Sequence, residues 1–399
     1  MSGVVIIGAG HAGSQLAVSL RTEGFKGPVT LIDSEAALPY HKPPLSKTFL
    51  KDVAAQPQPL RAATAYDDSS IIRLVAAATA IDTEARTVTV EGRKLAYDEL
   101  VLATGAQNRR LPDLDGANNV FSLRTLTDAH ALRNALPAVK RIAVIGGGFI
   151  GLETAAALAA MGKSVTVQEA APRILARVAA PETSDLVADA LARLGIDLRT
   201  SWGGRGFVRD GDRIIEVLGE DAKISVDLIL VGIGAAAATE LALGAGIACN
   251  LGILTDPTLA TNVPHIWAIG DAAETPHWQT ARAERIESVQ NATDQARTLA
   301  KTLATGRAEA FHSVPWFWSD IGPLKLQIAG LSHRSDVRIV RKDGTTIAVF
   351  HLREGCLVAV ETVNSAADHM IARRLLEKGI TPTEEQMLAG PQALKPLIA

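Results

Sequence analysis

The stretch Arg141-Ile-Ala-Val-Ile-Gly-Gly-Gly-Phe-Ile-Gly-Leu-Glu153 decides the fold. Ile142 to Ile145 read as a buried strand, the glycines as a turn, and the residues after them as a helix. Gly146, Gly148 and Gly151 form G-x-G-x-x-G. The first glycine permits a tight turn, the second lets a pyrophosphate approach the backbone, and the third lets the helix pack close to the strand. The helix N-terminus then faces the phosphates. A second strand, Ser164 to Gln168, ends at Glu169, which is 169 − 146 = 23 residues beyond Gly146. A carboxylate at that distance can bond a ribose 2′-hydroxyl.

The same order occurs near the N-terminus. Val4-Val-Ile-Ile-Gly-Ala-Gly-His-Ala-Gly carries Gly8, Gly10 and Gly13, with a helix expected through about Glu23. The strand Val29 to Ile32 follows, and its end offers Asp33, Ser34 and Glu35. Asp33 is 33 − 8 = 25 residues from Gly8, and either acid could take a ribose. One glycine turn could simply pack a strand on a helix. Two complete copies point to two dinucleotide sites in one chain.

The whole chain is consistent with this reading. Its 399 residues suffice for two or three domains. A 47% hydrophobic content and a formal net charge of −3 describe an ordinary soluble protein with no basic excess for nucleic acid. The two cysteines, Cys249 and Cys356, stand far apart and in no C-x-x-C, so a reducing compartment and no disulfide framework are expected. No metal site is expected. The first strand begins at Val4, leaving no room for a signal peptide. Leu228 to Cys249 is apolar enough to imitate a membrane span, but its four glycines and Glu240 fit a strand, a glycine turn and an alanine-rich helix better.

Other stretches fill in the plan. Leu38 to Lys47 is a proline-stiffened loop with two cations; Lys42 suits a phosphate or a solvated surface, and Lys47 a ring system. Residues 51–70 read as surface helix or loop, and Val75 to Ile81 and Thr87 to Val90 as strands. Glu99 to Leu102 is a buried strand ending in Ala103-Thr104-Gly105, a turn that suits close passage by a ligand. Pro112 to Asn119 is rich in turn formers and marks a boundary. The strand from Ile266 ends in Gly270-Asp271, and Arg285-Ile-Glu-Ser-Val-Gln-Asn-Ala is read as opening a helix to about Leu303. From Phe311 the texture changes to alternating strands, where Trp316 and Trp318 would share a face. The expected class is α/β, with two Rossmann-like dinucleotide-binding domains and a small C-terminal α+β domain.

Taken together, these motifs resemble the two-dinucleotide flavoprotein reductases. More narrowly they resemble the NADH-dependent ferredoxin reductases, of the putidaredoxin reductase type, that serve bacterial monooxygenases and dioxygenases. The motifs behind the resemblance are the first fingerprint, Pro43-Pro44-Leu45-Ser46-Lys47, Ala103-Thr104-Gly105, the second fingerprint with Glu153 and Glu169, Gly270-Asp271, Glu287 to Ala292 and Trp316-Phe-Trp-Ser-Asp320. The resemblance implies a glutathione-reductase-like fold. Residues 1–110 and 236–311 would bind FAD, 111–235 NADH, and 312–399 would form the third domain. It implies FAD contacts at Gly8, Gly10, Ala12, Gly13, Asp33, Ser34, Glu35, Lys42, Pro44, Lys47 and Ala78. Further FAD contacts are implied at Ala103, Thr104, Gly105, Arg124, Gly270, Asp271, Glu287, Ser288, Val289 and Trp318. NADH contacts are implied at Gly146, Gly148, Phe149, Ile150, Gly151, Glu169, Gly232, Ile233 and Gly234. Lys47 and Glu153 are implied to pair beside the flavin and act catalytically.

Three departures from that family stand out. Lys42 replaces an arginine, Ala237-Ala238 replaces Pro-Asn, and Ile321-Gly322-Pro323 replaces a more polar turn that could face the partner. The implied partner is a [2Fe–2S] ferredoxin, docked transiently by charge, with Arg109, Arg110, Arg297, Lys301, Arg373 and Arg374 as candidate cations. A cytoplasmic monomer or weak dimer is expected, without nucleic-acid or membrane partners. Rubredoxin or another one-electron acceptor is the alternative, and a redox-sensing flavoprotein like apoptosis-inducing factor a further one. Glu169 favours NADH, because a carboxylate repels a 2′-phosphate; Arg173 and Arg177 stand nearby as possible opposing cations. A disulfide reductase would need a redox cysteine where this chain has Ser46 and Lys47.

Overall fold

The computed structural model describes residues 3–220, 222–333 and 335–399. The chain forms two compact units. One comprises Met1–His41, Gln58–Gln107 and Ala236–Pro315, the other Lys42–Pro57, Asn108–Ala235 and Trp316–Ala399.

In the first unit, five parallel strands lie in the order Ile266–Ala268, Glu99–Leu102, Val4–Ile7, Val29–Asp33, Ile71–Val75. The central strand is buried at all four positions, the pattern of a sheet covered on both faces. Helix His11–Thr22 turns its apolar side, Leu16, Ala17 and Leu20, onto one face, where it packs against helix Val289–Thr305. The first strand's neighbours lie on opposite sides, so the chain reverses direction across the sheet at the Gly8 turn. Such a reversal is where doubly wound sheets hold ligands.

The second unit repeats the plan. Its parallel strands run Asp197–Arg199, Ser164–Gln168, Arg141–Ile145, Leu228–Val231, Val120–Phe121. The same unit contains an antiparallel five-stranded sheet, ordered Trp316–Ile321, Leu324–Gly330, Cys356–Val363, Thr346–Arg353, Val337–Asp343. Helix Ala366–Lys378 packs on the Leu324–Gly330 and Cys356–Val363 strands.

Several local expectations change. Val75 to Ile81 is not one strand: Ile71–Val75 ends in the parallel sheet and Ala78–Asp82 begins an antiparallel one. Pro43–Ser46 forms a 3-10 turn within the expected loop, where consecutive prolines preset φ. After Gly234 comes a short strand, Ala235–Ala237, and the helix is only Glu240–Gly244. Helix Val289–Thr305 starts four residues later than Arg285, because Ser288 caps it, its Oγ accepting from the Asn291 amide at 3.0 Å. A buried hydrogen bond between His351 and Glu361 and a half-buried Arg341–Asp368 ion pair, neither announced by composition, sit in the C-terminal sheet and its helix. No helix among the described residues is long and apolar enough to cross a membrane.

Candidate functional site

The two glycine turns are built alike. Gly8 (φ +102°) and Gly146 (φ +110°) occupy backbone that a side chain would strain. A Cβ on Gly8 would lie 2.2 Å from the Ala103 carbonyl oxygen; one on Gly146 would lie 2.4 Å from that of Gly232. The turn at Ala103, Thr104 and Gly105 in one unit thus corresponds to Gly232, Ile233 and Gly234 in the other. Gly13 and Gly151 press onto their own turns, where a Cβ would come within 1.9 Å of the Gly8 oxygen and 2.3 Å of the Gly146 oxygen.

The middle glycines differ. Among the described residues, nothing beyond the adjoining backbone lies within 4 Å of a Cβ built on Gly10 or Gly148. Both cap helices without a side-chain hydrogen bond, and neither helix has an acid in its first turn. The first amides of each helix therefore point outward, with the positive end of the helix dipole behind them. This is a cradle for a diphosphate, and it fits the dinucleotides that the two fingerprints imply.

Other FAD-side candidates in the first unit gather around that cradle or its strand ends. Ala12 lies on the opening helix, against Gly270, whose added Cβ would meet its methyl at 2.9 Å. The Gly270 amide donates to Gln295 at 2.7 Å, and Arg285 binds both the Asp271 carbonyl and Glu287. Ser288 and Val289 form the cap and first residue of the long helix. Asp33 and Ser34 lie at the second strand's end, and Glu35 accepts from the Tyr40 hydroxyl at 2.6 Å. Ala78 opens the antiparallel sheet. Thr104 donates to the Ala238 carbonyl at 2.7 Å and Ala238 donates back to Gly105 at 2.9 Å, so Ala238 straps this turn.

In the second unit, Glu169 stands where the spacing put it. Its carboxylate accepts from the Gly147 amide and the Ala171 amide, each at 2.7 Å. It holds the glycine turn. Ile150 is exposed at the helix start.

Glu153 is the hub of this unit. It is 5% exposed. One oxygen accepts from Ser319 Oγ at 2.6 Å, the Asp320 amide at 3.2 Å and Lys47 Nζ at 3.2 Å; the other accepts from Ser46 Oγ at 2.7 Å. Lys47 also reaches Asp320 at 3.1 Å. Periodicity explains the match. Phe149 and Glu153 are one helical turn apart, and Phe317 and Ser319 are one strand repeat apart on a shared face. Phe149 meets Phe317 with ring centroids 4.4 Å apart, so Glu153 meets Ser319 one step further on. Ser46, Ser319 and Asp320 were missed as partners of Glu153, although two of the quoted motifs contain them.

Lys42 and Pro44 belong to the same 3-10 turn as Ser46, and Lys42 caps it. The Arg124 amide bonds Asp128 in the capping box of helix Leu126–Ala135. Trp318 stacks obliquely on Trp316, centroids 5.7 Å apart, and Arg373 lies 4.4 Å over the Trp316 ring. Arg110 and Arg297 are each paired with an acid, Asp115 and Asp294. In the Ile321-Gly322-Pro323 turn Ile321 is fully buried, while Gly322 and Pro323 are exposed.

Residues 2–296 match the family described as pyridine nucleotide-disulphide oxidoreductase. The chain belongs to this family. Residues 316–398 match a second model, the reductase C-terminal domain. The chain is 40% identical to rhodocoxin reductase of Rhodococcus erythropolis, covering 99% of this chain and 94% of that one. Its fold is similar to the ferredoxin reductase for the CYP199A2 system from Rhodopseudomonas palustris, with TM-score 0.96 and 40% identity over 100% of both chains. It is similar as well to the covalent putidaredoxin reductase–putidaredoxin complex, with TM-score 0.93 and 36% identity over 99% of this chain and 98% of that one.

Cys249 and Cys356 are both free, and they lie in different units. Burial pushes the Cys249 thiol pKa up, with Glu274 adding to it, which disfavours the reactive thiolate.

Proposed function

We propose that this protein takes electrons from NADH through FAD and passes them to a [2Fe–2S] ferredoxin that feeds an oxygenase. The observation that carries this reading is the constellation around Glu153. A buried carboxylate binds Ser46 and the Lys47 ammonium, the two residues in the loop where a disulfide reductase would be expected to carry its redox cysteine. When bound, FAD supplies the exchange between a two-electron hydride and single electrons.

The chain's own part is placement and charge. Residues 1–110 and 236–311 hold FAD, residues 111–235 hold NADH, and 312–399 complete the protein. The amides beyond Gly10 and Gly148 bind the two diphosphates, and Glu169 takes the NADH ribose. Lys47 supplies positive charge at the flavin. Glu153, Ser46, Ser319 and Asp320 fix the direction of that ammonium, and the saturated Glu153 carboxylate holds one geometry for the nicotinamide to meet. Ferredoxin docks by charge on a cationic face, with Arg374 and with Arg373, which lies over the Trp316 ring, as contributors, and the protein acts in the cytoplasm as a monomer or weak dimer.

NADH-driven reduction of a panel of ferredoxins and rubredoxins tests this. Fast turnover with at least one [2Fe–2S] ferredoxin is expected. Turnover with rubredoxin alone would shift the assignment to that acceptor. Slow NADH oxidation with every carrier would point to a redox-sensing role instead.

A further inference from the structure

Arg173 and Arg177 both stand close in sequence to Glu169, but the structure separates their roles. The Arg173 guanidinium is consumed by its own loop: Nη1 donates to the Ala179 carbonyl at 2.8 Å and Ser184 Oγ at 2.6 Å, and Nη2 to the Ala176 carbonyl at 3.0 Å. It holds a tight turn together. That turn begins at Leu175, which sits in the left-handed region at φ +54°, and the amides of Val178 and Ala179 return to the Leu175 carbonyl at 3.0 Å each. A leucine keeps such backbone only where its surroundings determine it. Here the Leu175 amide is tied at 2.9 Å to the carbonyl of Gly147, the middle residue of the glycine turn.

What this turn presents is Arg177. Its side chain is exposed and makes no hydrogen bond or ion pair with the described residues. Its Nη2 lies 3.5 Å from the position of a Cβ on Gly234, over the turn that follows strand Leu228–Val231. Strand Arg141–Ile145 separates that strand from the one ending at Glu169. Two inter-strand steps amount to about 10 Å, so a 2′-phosphate on a ribose at Glu169 is out of line with Arg177. The ground between them is the Gly146–Gly148 turn with its outward amides.

We propose that Arg177 grips the dinucleotide diphosphate from the side opposite the glycine turn, as a positioning residue for the nicotinamide half and not as a receptor for a 2′-phosphate. This rests on the NADH site proposed above. Arginine suits the task, since its planar fork bonds two phosphate oxygens at once.

Calorimetric titration of the oxidised, FAD-loaded protein with ADP-ribose, ADP and AMP provides the test. Wild type should bind all three. Arg177→Ala should weaken ADP-ribose and ADP about tenfold or more, the loss of a charge-assisted contact, while AMP changes less than about twofold. Arg177→Lys should recover part of the loss, and unchanged flavin absorbance and melting temperature will show that the loop is intact. The NADH-to-NADPH ratio of kcat/KM should not move in either variant. Equal weakening of AMP and ADP-ribose, no weakening at all, or a selective loss of NADPH would each overturn the assignment. Failure of wild type to bind ADP-ribose would overturn the NADH site itself, a result distinct from any of these.

Discussion

The Lys47 ammonium lies 3.2 Å from the Glu153 carboxylate, which is 95% shielded from solvent and carries three further hydrogen bonds from Ser46, Ser319 and the Asp320 backbone. One carboxylate thus joins a loop near residue 46, the second glycine-turn helix and the first strand of the C-terminal sheet. Glu153→Ala takes an acceptor from the Ser46 and Ser319 hydroxyls and leaves Lys47 with Asp320 alone. A loss of about 2–4 kcal/mol is expected, measured by urea denaturation, because buried donors lose their acceptor and the volume of the carboxylate is left empty.

Lys47→Met keeps the volume and removes the charge. It should cost less stability than Glu153→Ala, since Glu153 retains its three neutral donors. The larger effect should fall on hydride transfer. Stopped-flow reduction by NADH should slow about tenfold or more, as the loss of one preorganised charge facing the reacting ring predicts. An unchanged rate would remove Lys47 from the catalytic reading.

The glycines of the second fingerprint divide into two kinds. Gly151→Ala forces a Cβ to 2.3 Å from a backbone oxygen and should destabilise by about 1–3 kcal/mol or more. Gly148→Ala meets nothing within 4 Å and keeps an ordinary φ of −86°, so melting should barely move. Its NADH affinity should nevertheless fall, because the new methyl occupies the approach of the diphosphate. A Gly148→Ala protein that binds NADH normally would contradict the cradle.

Glu169 holds the Gly147 amide, and in the proposed site it takes the NADH ribose. Glu169→Gln keeps the shape and removes the charge that repels a 2′-phosphate. The preference for NADH over NADPH, taken as a ratio of kcat/KM, should drop about tenfold or more.

Stability should respond to pH through His369. Burial, with the Arg373 charge adding to it, lowers its pKa to about 4. The unfolded chain, near 6.5, then binds more protons than the folded one between these values. The contribution is complete above pH 6.5 and is lost as pH falls to 4, on the order of 1–3 kcal/mol. Denaturation midpoints between pH 4 and 7 should show the slope, and His369→Phe should flatten it. Asp227 acts lower: hydrogen bonds from Arg141 hold its pKa at about 2, so its contribution is lost only as pH falls below about 4.

The two glycine fingerprints, the strands before them and the acids after them were legible in the sequence because each rests on contacts within about 25 residues. Backbone geometry fixes them: a turn needs its glycine and a helix start its open amides, whatever the rest of the chain does. The C-terminal strands were legible for the same reason, through their period of two. Helix Val289–Thr305 was misplaced by four residues because its start is set by a local hydrogen bond, the Ser288 cap on the Asn291 amide.

What the sequence left open was the company each side chain keeps. Glu153 reads as one more acid on an alanine-rich helix, yet its partners come from Ser46, 107 residues before it, and Ser319, 166 residues after it. Arg173 and Arg177 look interchangeable in sequence, yet one is locked into its loop and the other is held over the nucleotide turn. A carboxylate or guanidinium can find its partner anywhere that packing brings a donor or acceptor, and only the folded chain selects which. The sequence by itself determined that there are two dinucleotide cradles. The tertiary structure decided which charges serve them.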